Sequence, residues 1–236
     1  MSASRSVLVA VAISSGAAWA WLVTARAPHV ASFGATFLMW NVMMTAMMVP
    51  PALPWFAFLA GGLGPAGASS ATAAPPATGP GALMGFATAY ASVWVVYCGA
   101  AAALQTWLQA HGWLTHDAAL SHRAGGVLMI VAGLYQFSPL KAACLRHCRS
   151  PLGYLLTHWR DDAWWTLRAG VDHGLHCLGC CWALMLLAFA AGVMNLQWMA
   201  VVTLAVAIEQ LAPGGVGLGR WLGAVLVVVG VALVSA

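Results

Sequence analysis

The chain has 236 residues, 62% of them hydrophobic and only 6% charged, with a mean hydropathy of +0.86. A soluble domain carries about 25% charged residues, so these few charges cannot coat a globular surface of this size. The net charge of +4 is no sign of nucleic acid, because in a membrane protein Lys and Arg report topology.

Several segments run roughly 18 residues or more without a charge, long enough for a bilayer core of about 30 Å. The expected fold is all-α: a polytopic transmembrane helical bundle of about six to seven spans, forming a single integral membrane domain over 1–236. The candidate spans are roughly 6–25, 33–59, 82–108, 119–139, 175–192, 194–211 and 217–236. The first, SVLVAVAISSGAAWAWLVTA, carries a cleavage-like Ala18-Trp19-Ala20. Its apolar core exceeds the ~7–15 residues of a signal peptide and holds two tryptophans, so it reads as a retained helix.

In span two Met39, Met43 and Met47 step by four, with Met44 and Met48 alongside. Packing is the ordinary use of methionine, but thioethers also select Cu(I). Pro50, Pro51 and Pro54 are expected to end or bend this helix and free backbone carbonyls, with Trp40 and Asn41 as interhelical contacts. GLGPAGASSATAAPPATGPG (62–81) is a flexible linker by composition. Cys98 in span three reads as a small hydrophobe. His111, His116, Asp117 and His122 follow at a loose spacing that suits a solvated loop better than a metal site.

The stretch 141–173 holds Lys141, Arg146, Arg149, Arg160 and Arg168, which makes it cytoplasmic by the positive-inside rule. Threading outward puts Arg5 and Arg220 inside too, leaving only Arg26 and Arg123 outside, with the N-terminus cytoplasmic. Within it, Leu152, Leu155, Leu156, Trp159, Trp164, Trp165 and Leu167 alternate with charges, as in an amphipathic segment lying in the interface between spans four and five.

Five of six cysteines fall in two groups: Cys144 and Cys148, then Cys177, Cys180 and Cys181 within HGLHCLGCCWALM (173–185). Residues at i, i+3 and i+4 share a helical face, so each group presents its sulfurs together, and His173 lies on the Cys177 face, with His176 beside it. Spacings of two to four suit a soft-metal cage, for copper or, alternatively, zinc. A helix N-terminus at 172–176 and nearby arginines would favour thiolates. Thiol exchange by the C-x-x-C pair and plain packing remain alternatives; a reducing cytoplasmic face argues against disulfides. Glu209, in span six, is an intramembrane carboxylate and so a functional candidate.

WNVMMTAMMVP (40–50), YQFSPLKAACLRHCRSP (135–151), GLHCLGCCWALM (174–185) and GVMNLQWM (192–199) resemble a bacterial family of predicted metal-binding integral membrane proteins, classed as a domain of unknown function. The resemblance implies an inner-membrane helical protein whose metal contacts are Met43, Met44, Met47, Met48, Cys144, Cys148, Cys177, Cys180 and Cys181. It supplies no mechanism. The expected function is soft-metal handling or metalloprotein assembly, with the lipid bilayer and a metallochaperone or metalloprotein client as partners. A thiol–disulfide or quinone-linked oxidoreductase, and a purely structural helical protein, are the alternatives.

Overall fold

The computed structural model describes residues 2–24, 32–59, 80–115, 117–151, 153–154 and 164–236. Most of the 62–81 linker, His116 and most of the expected interfacial segment lie outside the described residues. The elements are α1 (Ser2–Thr24), α2 (Phe33–Leu59), α3 (Pro80–Ala110), α4 (His122–Tyr135), α5 (Pro139–Cys148), α6 (Trp165–Leu186), its short continuation α7 (Ala188–Ala191), α8 (Leu196–Leu211) and α9 (Gly215–Ser235). No strand occurs among the described residues, only an isolated bridge between Leu114 and Leu120.

Local chemistry sets several boundaries. Ser138 opens α5 by accepting the Lys141 amide at 3.0 Å, with Pro139 in the first turn. Asn195 accepts the Trp198 amide at 3.1 Å to open α8. Both are N-caps that satisfy amides the helix leaves free. Between α7 and α8, Gly192 takes φ +94°, which suits glycine alone, and the chain reverses there.

Helix α2 does not end at its prolines; it runs through Pro50, Pro51 and Pro54 to Leu59. Pro50 has no N–H to give the Ala46 carbonyl four residues back. That carbonyl accepts instead from Trp19 Nε1 at 2.9 Å and Ser15 Oγ at 3.1 Å, both on α1. Trp40 makes the expected interhelical bond, donating to Gln105 Oε1 at 2.7 Å. Asn41 does not, because its amide donates within α2 to the Phe37 carbonyl.

Small residues bring the helices together. Parallel packing of α3 and α6 follows from Gly170 against the Phe86 carbonyl and Gly174 against Val93. This glycine face lets α6 begin at Trp165, ten residues before the expected start of span five. The antiparallel pair α4 and α9 crosses at Gly126 with Gly230 and Gly133 with Gly223. Close backbone approach at such points is how apolar helices gain contact without a hydrophobic driving force.

Among the described residues four helices are long and apolar enough to cross a membrane: Phe33–Leu59, Pro80–Ala110, Trp165–Ala191 and Gly215–Ser235. The α4–α5 pair, bent by 67°, would make a fifth if counted as one. By length and composition this is fewer than the expected six to seven spans. Leu8–Thr24 and Leu196–Leu211 are apolar but shorter; at 1.5 Å per residue the 16 residues of α8 reach about 24 Å, against a core of about 30 Å.

The glycine crossing is testable. A Cβ at Gly133 would lie 2.6 Å from the Gly223 carbonyl oxygen, so Gly133→Val should destabilise by about 1–3 kcal/mol, the cost of overpacking. Gly34 has nothing within 4 Å of such a Cβ, so Gly34→Ala should hold or raise the melting temperature in detergent. Equal melting of Gly133→Val and the unmodified chain would rule the crossing out as a constraint.

Candidate metal centre

Cys177 lies near the midpoint of Trp165–Ala191, not at the mouth of a span. Residues 172–176 are accordingly helix interior and lend no N-terminal potential. Helix α5 folds back across α6 and brings its last residue, Cys148, opposite Cys177 and Cys180. The three sulfurs lie within 4.8 Å of one another, and all three residues are buried. Cys148 Sγ and Cys180 Sγ are 4.0 Å apart. Three sulfurs bound at about 2.3 Å to one ion in a plane would stand roughly 4.0 Å apart, whereas a disulfide needs about 2.05 Å. All six cysteines are free thiols. The spacing and the purely soft donor set fit a thiophilic ion.

Polar groups converge on these sulfurs. Gln210 Nε2 on α8 donates to Cys180 Sγ at 3.6 Å and Cys177 Sγ at 3.7 Å. The Tyr90 hydroxyl, which donates to the Met48 carbonyl at 3.1 Å, is 3.5 Å from Cys177 Sγ. Donors to sulfur stabilise thiolate over thiol. The Cys180 and Cys181 thiols donate to the Cys177 carbonyl at 3.1 and 2.8 Å; an ion held by Cys148, Cys177 and Cys180 would displace the Cys180 proton.

The other expected residues take different places. Cys181 faces Met48, with Sγ to Sδ at 3.8 Å. Cys144 rests its sulfur over Gly179, a turn away from the three-sulfur group. Met43, Met44 and Met47 border a small cavity with Met185 and Met199. His173 is fully buried and stacked 4.2 Å from Trp55, with Phe86 and Tyr90 beyond; neither ring nitrogen has a hydrogen-bond partner among the described residues. His176 turns away from the sulfurs towards Asp172 and His147. The three lie close enough to share an ion, whereas the described histidines of the 111–122 loop form no such group.

Sequence reasoning passed over Gln210, Tyr90, His147 and Asp172. Gln210 had a signal, since it adjoins Glu209 inside an apolar helix. His147 adjoins Cys148, and Asp172 adjoins His173. Tyr90 had none, being 87 residues from Cys177. Near Asp172 the Tyr154 phenol is pushed up to about 12, by burial first and by the carboxylate second, so it is a proton donor at neutral pH.

A buried ion pair holds α5 in place. Lys141 Nζ meets Glu209 Oε2 at 2.6 Å, with both side chains almost fully buried, and Arg149 donates to the Glu209 and Ala212 carbonyls at the end of α8. Trp55 Nε1 on α2 donates to the Cys148 carbonyl at 3.0 Å.

A family model described as PpoB2, copper chaperone, matches residues 37–233. No curated protein and no solved structure matches the chain.

Breaking the ion pair should cost more than removing it. Glu209→Gln strands a buried ammonium and should destabilise by about 3–5 kcal/mol, whereas Lys141→Met with Glu209→Leu should recover most of that loss. Thermal melting in detergent measures both, and a single variant as stable as the double would refute the anchoring role.

Proposed function

The chain belongs to the PpoB2 copper chaperone family, and on that premise we propose that it carries Cu(I) on the thiolates of Cys148, Cys177 and Cys180 and passes it to a metalloprotein client. The observation that carries the reading is the buried three-sulfur group, which contains no hard donor. Thiolates select Cu(I) by softness, ahead of zinc in such a site. Gln210 supplies an amide to two of the sulfurs, and the Tyr90 hydroxyl, which donates to the Met48 carbonyl, stands 3.5 Å from Cys177 Sγ. Cys181 and Met48 stand next to the group as exchange partners. Met43, Met44 and Met47 extend the sulfur-rich region along α2 as a handoff path. Cys144 and His173 are auxiliary groups around it, while His176 faces away from the sulfurs.

We place the protein in a membrane, in the bacterial inner membrane by the family resemblance. The surface supports this: Val96, Leu38, Val131, Leu134, Leu204 and Val228 are exposed, while Gln105, Lys141, Glu209 and Gln210 are buried. Antiparallel α6 and α8, and α4 and α9, fit a chain that passes back and forth, with α1 and α8 as the short passes. The cytoplasmic N-terminus rests on seven of the nine Lys and Arg residues falling on one side.

Purified full-length protein, reduced and loaded with Cu(I), should retain one ion per chain, with X-ray absorption reporting three sulfurs at about 2.3 Å. Cys177→Ser/Cys180→Ser should lose it. Metal-free reduced protein after loading would sink the proposal. A reversible disulfide trapped in cells without bound metal, at the expected C-x-x-C pair Cys177–Cys180 or at Cys148–Cys180, whose sulfurs are 4.0 Å apart, would favour the oxidoreductase alternative. For orientation, a cysteine introduced at Ser150 should resist a membrane-impermeant reagent applied to intact cells; prompt labelling there would reverse the topology.

A further inference from the structure

We propose that His147, Asp172 and His176 form a second metal site, for a divalent ion of the Cu(II) or Zn(II) class, separate from the three sulfurs. His147 Nε2 is 3.5 Å from one Asp172 carboxylate oxygen; His176 Nδ1 is 3.5 Å from the other and donates to the Asp172 backbone carbonyl at 2.8 Å, which leaves Nε2 as its ligand nitrogen. One donor atom from each residue lies within 4.8 Å of the other two. The two imidazoles are stacked at 3.9 Å with planes 12° apart; an ion lies in the plane of each ring that binds it, so binding would turn one ring out of the stack.

The donors differ in kind from those of the first group. Two imidazoles and a carboxylate suit Zn(II) and Cu(II), while thiolates suit Cu(I). Three protein ligands leave an open position, the pattern of a site that exchanges its fourth ligand. Accessibility differs as well. The side chains of Asp172 and His176 are 37% and 35% exposed, whereas Cys177 is fully buried.

Helical register explains how one pair of helices builds both groups. His147 precedes Cys148 on α5, and His176 precedes Cys177 on α6. Successive residues of a helix turn by about 100°, so the same contact that apposes the cysteines apposes the histidines on the adjoining face. Asp172, four residues before His176, shares its face. An Asp–His pair four residues apart on a helix surface is common and needs no metal. His147, brought from another helix to the same carboxylate, is what such a pair lacks. The two sites are one residue step apart along each backbone, about 3.8 Å between Cα atoms. The accessible one can take a hydrated divalent ion that the buried sulfurs cannot reach directly.

The test uses the full-length chain in detergent, in two forms. In the Cys148→Ser/Cys177→Ser/Cys180→Ser background, Cu(II) should bind at one equivalent with nitrogen couplings in its EPR spectrum. Adding His147→Ala/His176→Ala, or Asp172→Asn alone, should weaken it at least ~10-fold. In the unmodified protein preloaded with Cu(I), Zn(II) should bind at one further equivalent, and the same histidine variants should lose Zn(II) and keep Cu(I). Undiminished Cu(II) or Zn(II) affinity in the histidine variants would overturn the proposal, as would their losing Cu(I) along with Zn(II). Zn(II) binding that depends on the histidines in a protein unable to hold Cu(I) would support this site and sink the proposed sulfur site instead.

Discussion

The position of α5 depends on a salt bridge that has no access to water. Lys141 and Glu209 meet at 2.6 Å with side chains only 4% and 3% exposed. Two charges taken out of water cost several kcal/mol each unless they stay together, so α5 cannot slide along α8 without leaving one of them unpaired. At the other end of the same short helix, Arg149 binds the last carbonyls of α8, groups that a helix C-terminus leaves unsatisfied. Every α5 residue that faces α6 lies between these two anchors. The 67° bend after α4 is what turns α5 towards α8.

With α5 held, its contact with α6 becomes a matter of register. Cys148 meets Cys177 and Cys180, and His147 meets Asp172 and His176. The two donor sets differ in softness and in exposure, though they come from consecutive positions on the same two helices. On the proposed reading, the accessible imidazole–carboxylate group and the buried sulfur group would hold ions of different class side by side. The aromatic stack around His173 brings Trp55 of α2 and Tyr90 of α3 against these groups, and the Trp55 bond to the Cys148 carbonyl ties that stack to the end of α5.

Helix α2 shows how a strained element is accommodated. Three prolines in an apolar helix remove amide donors where water cannot replace them. Bonds from Ser15 and Trp19 to the freed Ala46 carbonyl meet that need from α1, which docks there for the same reason. The helix continues to Leu59 through the region of Trp55, so the methionines and part of the aromatic stack belong to one element. Met48 is the methionine that reaches the cysteines, through Cys181; Met43, Met44 and Met47 turn towards Met185 and Met199.

By itself the sequence determined the helical class, the two cysteine groups, the methionine stripe and the kinship to a metal-binding family. Each of these is local: composition sets the solvent, and spacings of three and four set which side chains share a face. The start of α6 was hidden because Arg168 and Asp172 make 165–174 look like a loop, while the glycines that pack it on α3 carry no polarity signal. Only the tertiary structure decided that Cys148, Cys177 and Cys180 are the three that meet, that Cys144 stands apart, and that His176 belongs with Asp172 and His147. Those choices depend on how far one helix is displaced along another. That displacement is fixed by Lys141 with Glu209 and by glycine contacts, between residues distant in the chain, which no periodicity within a single helix can encode.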